Sequence, residues 1–145
     1  MSFLGLDYGS RTVGVAATDA LGITVQPVET VTREREDRLR ATLRRIAEIA
    51  AERGTTVIVL GRPYNMDGSE GERVEKCEAF RELLVKRTGL PVVWQDERLT
   101  TVEADEILEE SGVQPSERKK YIDQVAACII LREYLERVRD TAGKD

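Results

Sequence analysis

Hydrophobic and polar positions alternate with a period of two at the start of the chain and change to helical spacing further on. In Phe3-Leu4-Gly5-Leu6-Asp7, Leu4 and Leu6 occupy one side of a pleated segment. Gly9-Ser10 supplies a tight reversal, and Thr12-Val13-Gly14-Val15-Ala16-Ala17 resumes strand-like sequence. Gly22 to Val31 reads as a third strand; Pro27 within it cannot donate to a central ladder, which assigns it to a sheet edge. Connections this short imply antiparallel hairpins.

The next apolar stripe, Leu39, Leu43, Ile46, Ile49 and Ala50, predicts a helix from about Glu34 to Arg53 that stops at Gly54. Its acidic residues gather in the first turn and its arginines follow, as the helix dipole favours. Thr56 to Leu60 is a continuous apolar run, the mark of a strand buried on both faces. The loop from Gly61 to Glu72 contains a turn at Asp67-Gly68. Ser69 and Glu72 then read as a capping box for a helix carrying Val74, Cys77, Phe80, Leu84 and Val85, ended by Gly89. Leu90 to Gln95 is a fifth strand. Thr100 with Glu103 forms a second capping box for a helix to Ser111. A last helix runs from Ser116 or Lys119 to Val138, and Asp140–Asp145 is expected to fray. Strand–helix–strand units make parallel crossovers. The expected fold is α/β: a mixed five-stranded sheet, strands 1–3 antiparallel and strands 1, 4 and 5 parallel, flanked by helices. Residues 1–139 are expected to form a single domain.

Composition narrows the chemistry. The chain has 145 residues, and no histidine is among them, which excludes Ser-His-Asp and Cys-His catalysis and leaves zinc without its commonest nitrogen ligand. Cys77 and Cys128 are far apart, form no CxxC unit and read as buried thiols. There is no apolar run of about eighteen residues for a membrane helix. The N-terminus enters a strand at once, leaving no room for a signal peptide, so a cytoplasmic protein is expected. A net charge of -5 argues against an indiscriminate nucleic-acid binder but does not exclude one whose positive charge is local, or one that holds metal ions in an acidic pocket.

Three carboxylates stand out. Asp7 closes a buried strand, where it either bonds the following turn or meets a cation. The fifth strand ends at Asp96-Glu97 on the same rim as Asp7, and alternation sends the two to opposite faces. Asp123 lies on a helical stripe with Ala127, Ile130 and Tyr134, beside small alanines that allow close approach to the sheet. Such oxygen donors suit Mg²⁺, and a two-metal site about 3.5–4 Å across suits phosphodiester hydrolysis. Arg11, Arg62, Arg98, Lys119 and Lys120 fall near this rim, where they could neutralise phosphates; for each alone a solvated role is equally compatible with its position.

The blocks LGLDYGSRTVGVA, GRPYNMDGSEG, WQDERLTT with Ala104 following, and YIDQVAACIILREYL resemble, in order, those of the YqgF/RuvX family. Its members have a ribonuclease H-like fold and are described as pre-16S rRNA nucleases or Holliday junction resolvase-like proteins. The resemblance spans essentially the whole chain. It implies catalytic, metal-binding carboxylates at Asp7, Glu97 and Asp123, and it favours Glu97 over Asp96. It further implies a Mg²⁺-dependent endonuclease (with Mn²⁺ as a substitute) acting on pre-rRNA or branched DNA and leaving 5′-phosphate and 3′-hydroxyl ends. Gly9 and Arg11 then become candidates for admitting and neutralising a phosphate backbone. A Holliday junction resolvase would require a homodimer, whereas an RNA nuclease could act as a monomer. The Asp7-Tyr8-Gly9-Ser10 turn also resembles the phosphate loop of actin-like ATPases and sugar kinases, but those close a nucleotide between two such domains and this chain has room for one. A non-catalytic RNA- or protein-binding module is opposed by the presence of all three carboxylates.

Overall fold

The computed structural model describes residues 1–63, 71–97 and 100–142. Strands β1 (Phe3–Tyr8), β2 (Thr12–Thr18), β3 (Val25–Thr32), β4 (Val57–Arg62) and β5 (Val92–Asp96) form one sheet in the order β3-β2-β1-β4-β5. β1, β2 and β3 pair antiparallel, while β1–β4 and β4–β5 pair parallel, as the sequence pattern predicts. β3 is an edge strand. Val15 pairs with Glu29 and Ala16 with Pro27, so Val28 is the extra residue of a β-bulge beside the proline. β3 starts at Val25 rather than Gly22, because the Asp19 carboxylate accepts the Ile23 and Thr24 N–H groups and holds those residues in a turn.

Among the described residues the helices are α1 (Arg40–Glu52), α2 (Glu72–Thr88), α3 (Thr100–Glu110) and α4 (Pro115–Ala142), of which α1, α2 and α4 pack on the sheet. The pleat of β1 divides them. Leu4, Leu6 and Tyr8 point into one apolar layer with Ile46 and Ile49 of α1 and Cys77, Phe80 and Leu84 of α2. On the opposite face Ala16 and Val59 pack against Ala127, Cys128, Ile130 and Leu131 of α4. α3 lies outside α4, joined through Ala104, Ala126 and Ile129. β4 supplies both layers, with Ile58 and Leu60 on one side and Val59 on the other, which explains its unbroken apolar run.

Helix starts depart from the sequence reading. α1 begins at Arg40, not Glu34, and has no acidic residue in its first turn. The preceding segment is held by tertiary bonds: Arg73 and Lys76 bind the Glu36 carboxylate, and Arg33 Nε donates to the Glu36 carbonyl. α2 begins at Glu72 with Gly71 as its N-cap and no side-chain cap. Glu72 is therefore the first helical residue, not the third, and Ser69 and the Asp67 turn lie outside the described residues. The dipole pattern expected of α1 occurs instead on α2, with Glu72 and Glu75 in its first turn and Lys86 and Arg87 in its last. Gly89 ends α2 at φ +69°, its N–H donating to Val85. α3 is described from Thr100, and residues 98–99 lie outside the described residues. α4 starts on Pro115, which suits a first helical position because no N–H is needed there. Among the described residues no helix is long and apolar enough to cross a membrane.

Candidate active site

Three glycines set how closely α4 lies on the sheet. Gly14 on β2 pairs with Asp7 on β1, and a Cβ at Gly14 would collide with the backbone carbonyl of Asp123. A Cβ at Gly5 would lie 2.7 Å from Leu131 Cβ and 2.9 Å from the Ala127 carbonyl oxygen. At Gly61 it would strike the Glu97 carboxylate and sit 2.7 Å from Ile130 Cδ1. The trough made by Gly5, Gly14 and Gly61 lets the backbone of α4 settle onto β1, β2 and β4 and brings Asp123 beside Asp7.

The pleat of β5 distinguishes the two acids at its end. Val93 packs in the layer under α4 and Trp94 in the layer under α2. By alternation Asp96 falls on the α2 side and Glu97 on the α4 side. The Glu97 N–H donates to the Arg62 carbonyl at 3.2 Å, which continues the ladder through this residue.

Asp7 and Glu97 share a side-chain hydrogen bond, which requires a proton between them. Burial is the largest influence on Asp7 and raises it to about 6; the bond to Glu97 opposes this, the Asp123 charge adds to it, and Arg73 offsets part. Burial likewise drives Glu97 well above the carboxylate range, reinforced by the charge of Asp7 and by their hydrogen bond. Burial and their mutual charge both favour a proton shared by the pair. Among the described residues no three His, Cys, Asp or Glu side chains converge closely enough to enclose a metal ion. The geometry is a preformed two-carboxyl pair with Asp123 within electrostatic reach.

Of the basic residues expected near the rim, Arg62 is placed on another face by its position in β4. Arg62 lies on the α2 side, bonded to Glu78 at 2.7 Å and stacked 4.9 Å from the Trp94 ring centre, so it does not join the carboxylates. Arg11 and Lys119 are exposed. Arg98 and the Lys120 side chain lie outside the described residues. The Gly9 N–H donates to the Thr12 carbonyl at 2.7 Å and its own carbonyl accepts from Arg33 Nη2 at 2.7 Å, which fixes the turn that follows Asp7.

Arg73 is the cation that the sequence reading missed. Its Nη2 donates to the Tyr8 carbonyl at 3.0 Å, its Nη1 binds Glu36 at 2.6 Å, and its charge lowers both Asp7 and Glu97. An arginine in the first turn of a helix opposes the helix dipole, and that conflict was the available signal. Arg33 and Arg73 both lie over the Tyr8 ring, at 4.9 and 5.2 Å, while Phe80 stacks on Tyr8 with centroids 4.1 Å apart. The turn that presents Asp7 is thus held by aromatic and cationic contacts to Tyr8. Cys77 is buried beneath it, and its thiol is pushed up to about 12, first by burial and then by the Glu97 charge.

Comparison with known proteins is consistent with a nuclease scaffold. Residues 1–137 match the RuvX family, described as "Holliday junction resolvase". A protein of Lachnospira eligens named "Putative pre-16S rRNA nuclease" is 56% identical over 136 residues, spanning 94% of this chain and 97% of its own. One of the same name from Agathobacter rectalis is 52% identical over 136 residues, spanning 94% and 95%. Among solved structures, Thermus thermophilus RuvC superposes with a TM-score of 0.57 at 14% identity, covering 95% of this chain and 96% of that one. RuvC from the same organism in complex with Holliday junction substrate gives 0.58 at 13% identity, with the same coverage. These RuvC structures share the fold, a mixed sheet of the ribonuclease H-like kind. On the match across residues 1–137 and the identity to its relatives, this chain belongs to the RuvX family.

Proposed function

We propose that this protein is a cytoplasmic, Mg²⁺-dependent endonuclease that hydrolyses phosphodiester bonds of structured RNA and trims the ends of pre-16S rRNA. The observation that carries this reading is the half-buried Asp7–Glu97 pair, two carboxyls in hydrogen-bonding contact on the rim where the parallel strands end. Such a pair suits a divalent cation, because its donors are all hard oxygens and a bound cation can replace the shared proton. Asp7, Glu97 and Asp123 would hold the ion. When bound, the metal supplies an activated water and neutralises charge developing on the phosphate.

The protein's own groups prepare that chemistry. The glycine trough fixes the helix that carries Asp123, and Gly14 sets its depth opposite Asp7. Arg73 ties the start of α2 to the end of β1 and keeps positive charge beside the acids. Exposed Arg11 and Lys119 are available at the surface to meet neighbouring phosphates.

Asp7→Asn and Asp123→Asn proteins should fold and yet lose metal-dependent cleavage of a ribosomal precursor; wild-type turnover by both would refute the assignment. The description of the family supports a second reading, resolution of four-way DNA junctions by a homodimer. Cleavage of a precursor RNA and a four-way junction, side by side over a range of salt, separates the two.

A further inference from the structure

A cavity of about 330 Å³ opens on the same rim, on the other side of β1 from the carboxylates. Every segment that lines it leaves the carboxyl end of a strand. Tyr8 ends β1; Glu36, Asp37 and Leu39 lie between β3 and α1; Lys76, Ala79 and Phe80 belong to the opening turns of α2, which follows β4. Its size is at the lower end of the range of small-molecule sites, about 300–1,000 Å³.

The walls are apolar and fixed. Tyr8 and Phe80 are buried and stacked at an interplanar angle of 8°, and the Arg33 and Arg73 guanidiniums also lie over the Tyr8 ring. Two carboxylates, Glu36 and Asp37, and one cation, Lys76, are among the lining groups. The Glu36 carboxylate is bound by Arg73 and Lys76, whereas among the described residues no side chain bonds that of Asp37. An apolar recess with an oxygen acceptor among its lining groups fits a flat ring bearing N–H donors.

Asp7 and Tyr8 are adjacent, and the pleat directs them to opposite faces of the sheet. A strand crossing the rim with one phosphate at Asp7 would therefore bring a neighbouring nucleotide to the cavity. We propose that this cavity is a base-binding subsite: it receives an unstacked base of the RNA substrate, one or two nucleotides from the scissile phosphate. Guanine is favoured because it can direct two adjacent N–H donors at the Asp37 carboxylate, and uracil is disfavoured because its acceptor oxygens face that carboxylate. The inference rests on the nuclease reading and adds sequence preference to it.

The test has two arms. In the first, a fluorescent guanine analogue that keeps both the N1–H and the 2-amino group, thienoguanosine, is placed singly at each position of a single-stranded RNA dodecamer and its fluorescence is followed on binding to Asp7→Asn protein without metal. The expected result is a change confined to one position, abolished when either Ala79→Met or Asp37→Asn is added. Ala79 is an exposed helical position at which methionine keeps the helix and fills the cavity. In the second arm, replacing guanine by uracil at that position should lower wild-type kcat/KM about tenfold, and both variants should reduce this ratio towards one. No responsive position, or a response and ratio unaltered in both variants, overturns the subsite. If the wild type cleaves no RNA, the nuclease reading fails, and the fluorescence arm alone decides whether the cavity takes a base.

Discussion

Removing the negative charge of Asp7 should make the metal-free protein more stable. Burial raises this carboxyl from 3.8 to about 6, and the nearby Asp123 charge contributes to the shift. An acid with a raised folded-state pKa binds its proton more tightly in the folded chain than in the unfolded one. Stability is therefore complete below pH 3.8 and is lost as pH rises towards 6; the still higher Glu97 extends the loss beyond neutrality. A shift of about two units corresponds to roughly 3 kcal/mol at pH 8, an upper figure because asparagine is also costly to bury. Asn can keep a hydrogen bond to Glu97 at almost the same volume, so about 1–3 kcal/mol should be gained. With an unfolding entropy of about 2.1 cal/mol/K per residue over 145 residues, that raises the melting temperature by about 3–10 °C. The assay is thermal unfolding of wild type and Asp7→Asn in EDTA from pH 4.5 to pH 8.5, repeated with millimolar Mg²⁺. The gap should be widest at alkaline pH in EDTA, narrow towards pH 4.5, and shrink with Mg²⁺, which stabilises the wild type by binding its folded state. An Asp7→Asn protein that melts at or below wild type in EDTA at pH 8 would refute the reasoning.

Three further outcomes follow from the same geometry. Gly14→Ala forces a Cβ against the Asp123 carbonyl; it should cost about 1–3 kcal/mol in denaturant melts and abolish cleavage although every carboxylate is kept. Mg²⁺ affinity measured by calorimetry should rise up to about tenfold per pH unit near neutrality, because one proton must leave the Asp7–Glu97 pair, and Glu97→Gln should flatten that slope. Cys77 and Cys128, whose thiols burial pushes up to about 12 and about 11, should resist a thiol reagent at pH 8 until the chain unfolds.

The strands and their pairing were legible because their signals are local. A period of two in β1, a turn glycine and a proline in β3 each act within a few residues. The start of α1 was not legible, since Glu36 is drawn out of helical geometry by Arg73 and Lys76, nearly forty residues away. The choice between Asp96 and Glu97 depended on one further residue of ladder, the Glu97 N–H bond to Arg62, which composition does not encode. Arg62 was placed at the rim by its position but faces the other side by its parity in β4, where Trp94 and Glu78 hold it. A usable signal did exist for the depth of the site. Glycine inside a strand pattern is costly unless another backbone comes close. Gly5 and Gly61 face α4 within their strands, and Gly14 lies under Asp123. Taken together, these three positions mark the path of a helix across the sheet. Asp123 is the acid of that helix whose backbone rests on the glycine paired with Asp7, and this contact would pick it out from the other acids of α4.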